Sequence, residues 1–225
     1  MKEQFEAFRA NLFKKPFLKR LLLMLLGVEA MGICVAFLKL THFGTDPYAA
    51  TCYGLSRVTG ISFGTMELIV NGSMLLIVIF FDMKRLGFGT IGNMVLVGYT
   101  ADLTTYILKQ FGVETIESLA VRIVVMLIAI SIFIVAVALY IDVALGASAY
   151  DVMPYILHNG VCRILGKDIQ FRYVRMVFDA FFTVVGFCLG GESGVITILI
   201  VLFLGTIIEK VSVFLEAKLG LKGYE

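Results

Sequence analysis

Phe43-Gly44-Thr45-Asp46-Pro47-Tyr48 interrupts an otherwise apolar sequence just after its first hydrophobic run, and Leu145-Gly146-Ala147-Ser148-Ala149-Tyr150 repeats the interruption 102 residues later. Glycine permits tight backbone geometry, and proline suits the first turn of a helix, where its missing N–H would be unpaired anyway. Asp46, directly before Pro47, stands where an N-cap carboxylate accepts orphaned helix N–H groups. Two such breaks predict two short helices whose N-termini lie at a central site.

The sequence around them is a membrane sequence. Of 225 residues, 60% are apolar and only 16% charged, and the mean hydropathy is +0.95. Soluble domains sit near 45–50% apolar and about 25% charged. The basic flank Lys14, Lys15, Lys19 and Arg20 precedes a long apolar run that contains Glu29, which predicts an uncleaved first helix with a cytoplasmic N-terminus. No basic surface domain exists to bind nucleic acid. Cys34, Cys52, Cys162 and Cys188 are scattered singly without a C-x-x-C pair, as small packing residues are.

Taken in order, the chain predicts an amphipathic cytoplasmic lead-in over 1–19 and a first membrane repeat over 20–110. A polar connection follows at 111–120, then a second repeat over 121–215 and a cytoplasmic tail over 216–225. The expected architecture is all-α and polytopic. Each repeat holds three long transmembrane helices and one short or re-entrant helix after the glycine-rich break. Laying residue 20 over residue 122 matches Arg20 to Arg122, Gly44 to Gly146, Tyr48 to Tyr150 and Tyr53 to Tyr155 without a gap. Further on, at an offset of 107, Thr90 falls on Thr197, Gly98 on Gly205 and Asp102 on Glu209. Shared glycines and acids in register point to an internal duplication. Short helices that cross would leave the halves parallel, and re-entrant ones would leave them inverted. The two arrangements differ by a single basic residue on the cytoplasmic side, so charge bias does not choose between them.

Charges inside a hydrocarbon zone cost about 2.5–3.5 kcal/mol or more at a helix centre, so each one needs a reason. Glu29 lies in the middle of the first span, and Ser131 occupies the matching place in the second repeat. It is expected to line a polar cavity. Asp46 and Asp151 flank the two breaks, as helix caps or as substrate contacts. Arg175 and Asp179, four apart, share a helix face and can pair. Asn71, Tyr48 and Tyr150 add hydrogen-bonding candidates, and Asp102 and Glu209 are expected to share a structural job near the cytoplasmic interface. His42 and His158 stand alone, and no nucleophile, metal or phosphate-loop pattern occurs, so neither an enzyme nor a cofactor is expected.

The residues Gly44-Thr45-Asp46-Pro47-Tyr48, Gly54-Leu55-Ser56 and Gly60-Ile61-Ser62-Phe63-Gly64-Thr65 resemble the first half of the YczE/YyaS/YitT family of bacterial membrane proteins. Leu145-Gly146-Ala147, Tyr150-Asp151, Arg175 with Asp179, and Leu189-Gly190-Gly191 carry the likeness through the second half. Ser148-Ala149 replaces a glycine-proline pair frequent in that family, and Thr206 a common proline. The YczE-like branch, without a soluble C-terminal domain, is the closer match. The resemblance implies a bacterial plasma membrane protein. The expected function is transport of a small molecule at the repeat interface. The alternatives are a membrane-embedded binding subunit of a multi-component transporter, or an accessory protein of another membrane complex. The expected partners are the bilayer and the substrate; a homo-oligomer or a membrane partner protein stays open.

Overall fold

In the computed structural model, Glu6 and residues 17–219 are described, and the expected lead-in over 1–19 lies largely outside them. Eight helices make up the described chain, with no strand among the described residues. They are α1 (Phe17–Thr41), α2 (Pro47–Thr59), α3 (Phe63–Phe81), α4 (three consecutive segments, Phe88–Gly92, Asn93–Val97 and Gly98–Gln110), α5 (Leu119–Asp142), α6 (Ala149–Leu165), α7 (Phe171–Cys188) and α8 (Val195–Leu219). A 3-10 turn at Met83–Arg85 joins α3 to α4. α1, α3, α5 and the part of α8 up to Leu215 are long and apolar enough to cross a membrane. α7 carries Arg172, Arg175 and Asp179 in 18 residues, and α4 is interrupted by a π-helical turn at Asn93–Val97.

α2, α3 and α6 begin at side-chain caps. Asp46 caps α2 by accepting the Ala49 N–H at 3.0 Å, with Pro47 in the first turn. Ser62 caps α3 through the Thr65 N–H, and Ser148 caps α6 through the Asp151 N–H. α1 and α5 both stop at one left-handed residue, His42 (φ 54°) and Ala144 (φ 50°).

The two breaks have the same backbone and dock in the same way. Gly44 and Gly146 sit at φ 108° and 111°, a region closed to L side chains. Thr45 N–H donates to Glu192 O (2.8 Å) and Ala147 N–H to Arg85 O (3.0 Å). Ile196 N–H donates to Phe43 O (3.0 Å) and Gly89 N–H to Leu145 O (2.8 Å). Each break is therefore stitched to the loop that precedes the last helix of the other half.

α1 and α5 pack along one another in opposite directions. Arg20, in the first turn of α1, donates to Val143 O at the end of α5. Arg122, near the start of α5, donates to Thr41 O at the end of α1; both bonds are 2.7 Å. A guanidinium on terminal carbonyls satisfies acceptors that no helical N–H reaches and suits the negative end of the helix dipole. The short helices cross between halves. α2 packs on α7, where the buried Thr51 hydroxyl donates to Phe182 O at 2.6 Å, and α6 packs on α3.

Candidate functional site

The N-terminal turns of α2 and α6 meet in the interior of the bundle. The Tyr48 and Tyr150 rings lie 4.8 Å apart, and both residues are buried. Beside them is a cavity of about 70 Å³, bordered by Asp46 and Tyr48 from α2 and its cap, and by Ser148, Tyr150 and Asp151 from α6 and its cap. α3 adds Glu67, the π-helical turn of α4 adds Asn93, and α7 adds Arg175 and Asp179. The volume holds a few water molecules or a small ligand.

Arg175 binds two carboxylates across the cavity wall. Its Nη2 lies 3.0 Å from Asp151 Oδ1 and its Nε 3.6 Å from Asp179 Oδ2. The Tyr150 hydroxyl donates to Asp179 Oδ1 at 2.6 Å, and the Ser148 hydroxyl to Asp151 Oδ2 at 2.8 Å. α6 and α7 are thereby tied by an ion-paired network whose acceptors are largely filled. The α2 side differs. The Tyr48 hydroxyl donates to the Glu67 backbone carbonyl at 2.8 Å. The Glu67 side chain is 2% exposed, and its Oε2 has no hydrogen-bond partner among the described residues.

Of the candidates read from the sequence, Asp46, Tyr48, Tyr150, Asp151, Arg175 and Asp179 come together around this cavity. Glu29 does not border it. Its Oε2 accepts the Thr100 hydroxyl at 2.6 Å, so it joins α1 to α4 outside this cavity. Asn71 is fully buried one turn beyond Glu67, with neither side-chain polar atom hydrogen-bonded among the described residues, and it stands outside the cavity wall. Asp102 accepts the Gly64 N–H at 2.8 Å and so caps α3, whereas Glu209 is exposed; the shared job expected of them is not what they do. His158 is not alone: its Nε2 is 2.6 Å from Ile169 O and 3.6 Å from Cys162 Sγ, with the Asp168 carboxylate nearby. Sequence reasoning missed Glu67, Asn93 and Ser148. Glu67 offered the same signal as Glu29, a lone acid in an apolar run.

This arrangement defines a multi-pass helical membrane protein, by length and composition of its helices, with a cavity bordered by charged and aromatic side chains where two helix starts meet. A family model for a family of unknown function, DUF6198, matches residues 18–213, and the chain belongs to that family. A protein of Haemophilus influenzae, described as uncharacterized, is 25% identical over 192 residues, covering 85% of this chain and 82% of that one. No solved structure matches.

Proposed function

We propose that this protein is a transporter of a small molecule, with the Tyr48–Tyr150 cavity as its substrate site. The observation that carries the reading is the meeting of two helix N-terminal turns at one cavity bordered by four carboxylates and a guanidinium. Secondary transporters place their sites at the interface of inverted repeats, on discontinuous helices. The antiparallel packing of α1 and α5, with the matched Arg20–Val143 and Arg122–Thr41 bonds, supports an internal duplication in which the halves are inverted. In that arrangement α2 and α6 are re-entrant, α1, α3, α4, α5, α7 and α8 cross, and both termini are cytoplasmic. Lys39, Arg57, Lys109 and Arg122 then fall on the far side and the remaining basic residues on the cytoplasmic side, in keeping with the positive-inside rule. The resemblance to the YczE/YyaS/YitT proteins, carried by the same glycine breaks, accords with a bacterial plasma membrane location.

The test is a thermal-shift screen of the purified, detergent-solubilised protein against a metabolite library, followed by uptake of each hit into proteoliposomes. A ligand that stabilises wild type, enters wild-type vesicles and loses both effects in Asp46→Asn is the expected result. Asn retains helix-capping ability, so that variant removes charge while keeping the cap. No uptake of any hit, together with a stoichiometric partner in the purified material, would replace transport with the accessory or binding-subunit reading.

A further inference from the structure

The charges around the cavity do not balance. Asp46, Glu67, Asp151 and Asp179 all border it, against the single guanidinium of Arg175. Arg175 is committed to Asp151 and Asp179, at 3.0 and 3.6 Å. Neither Asp46 nor Glu67 forms an ion pair among the described residues. Asp46 spends one oxygen on the Ala49 N–H, and Glu67 borders the cavity with its Oε2 against Gly98 of α4 and without a hydrogen-bond partner among the described residues. An ionised carboxylate inside a membrane protein is costly unless a proton or a cation answers it.

We infer that the ligand of this site is a small monovalent cation, an alkylammonium or an alkali ion, taken beside Asp46 and Glu67. The inference rests on reading the cavity as the transport site, and it names the substrate class. Helix N-termini alone would favour an anion. Here one N–H of each is taken by its own cap, Asp46 on the Ala49 N–H and Ser148 on the Asp151 N–H, and an anion would face four carboxylates. The remaining wall fits a cation with little hydration. Tyr48, Tyr150, Phe63 and Phe133 border the space, and aromatic faces attract cations. Calcium or magnesium would require six or more oxygens, which this largely aromatic and aliphatic wall does not offer, and an alkali ion fits only with water completing its shell. The volume of about 70 Å³ limits the ligand to an ion with a few waters or a short-chain amine. Protons compete for the same two carboxylates, so cation affinity falls as pH is lowered.

The experiment measures the melting temperature of the purified full-length protein in detergent against methyl-, ethyl- and propylammonium chloride, sodium chloride and potassium chloride. Salts of N-methylglucamine with chloride, acetate and phosphate serve as bulky-cation and anion controls. Expected is concentration-dependent stabilisation by a small cation, with affinity at least tenfold weaker in Glu67→Gln and in Asp46→Asn and unchanged in Glu117→Gln on the exposed connection. Stabilisation by the amines alone identifies the organic source, and by sodium or potassium the inorganic one. Stabilisation by acetate or phosphate as the glucamine salt, lost in Asp46→Asn, would overturn the cation assignment while leaving the transport reading in place. Stabilisation by none of these salts, or equal stabilisation of wild type and both acid variants, would overturn the cation assignment as well. Uptake into vesicles tests the transport reading separately.

Discussion

Replacing Gly44 by alanine tests the construction of the first break directly. At φ 108°, Gly44 is in a region that costs an L residue about 1–3 kcal/mol. The new Cβ would also stand 2.6 Å from Gly194 N, 2.9 Å from Gly194 Cα and 2.5 Å from Thr197 Oγ1. The threonine can rotate, but the Gly194 backbone cannot retreat without pulling on the two hydrogen bonds that hold the break, Thr45 N–H to Glu192 O and Ile196 N–H to Phe43 O. Weakening both adds about 1 kcal/mol each, for a total of about 3–5 kcal/mol. At about 2–4 °C per kcal/mol for a chain of this size, the melting temperature falls by roughly 10 °C. Thermal unfolding in detergent, followed by circular dichroism, reads this out. Two further glycines calibrate it. Gly60 has φ 75° but open space around its Cβ, so Gly60→Ala costs strain alone, about 1–2 kcal/mol. Gly72, inside α3 with open space, should accept alanine with a gain of about 0.5–1 kcal/mol. Gly146→Ala should cost about as much as Gly44→Ala, because its Cβ would meet Gly87 Cα at 2.6 Å. A Gly44→Ala protein that melts with or above Gly60→Ala would refute the docking of the break on the other half.

Two more outcomes follow from the same geometry. Arg175→Met leaves Asp151 and Asp179 without their cation and should destabilise the protein by about 3 kcal/mol; Arg175→Lys, a point charge without the guanidinium fork, should recover only part of this, and a melt of Arg175→Met equal to wild type would show the network to be idle. In cells whose native cysteines have been replaced, Lys109→Cys should react with an impermeant maleimide added outside, and Lys167→Cys only after permeabilisation. Labelling of both from the same side would exclude inverted halves.

The helices and the breaks were legible in the chain alone. Apolar runs too long for a soluble core, ended by glycine, proline and capping residues, dictate helix positions through backbone chemistry that is local in the chain, and the eight helices lie in the expected order. The pairing of Arg175 with Asp179 was legible for the same reason, since four residues is one helical turn. Which of the lone charges share a space depends on how the helices pack. Glu29 and Glu67 look alike in sequence, each a single acid in an apolar run. Glu29 meets Thr100 on the neighbouring α4, while Glu67 borders the cavity, one turn beyond Phe63, on which the Tyr53 ring of α2 stacks at 4.0 Å centre to centre. How α1 and α5 run relative to one another was equally out of reach of composition, because charge counts scarcely differ between parallel and inverted arrangements. The relative direction of α1 and α5 is set by contacts more than a hundred residues apart, Arg20 to Val143 above all. No periodicity or local propensity encodes a contact of that separation; it exists only once the chain has packed.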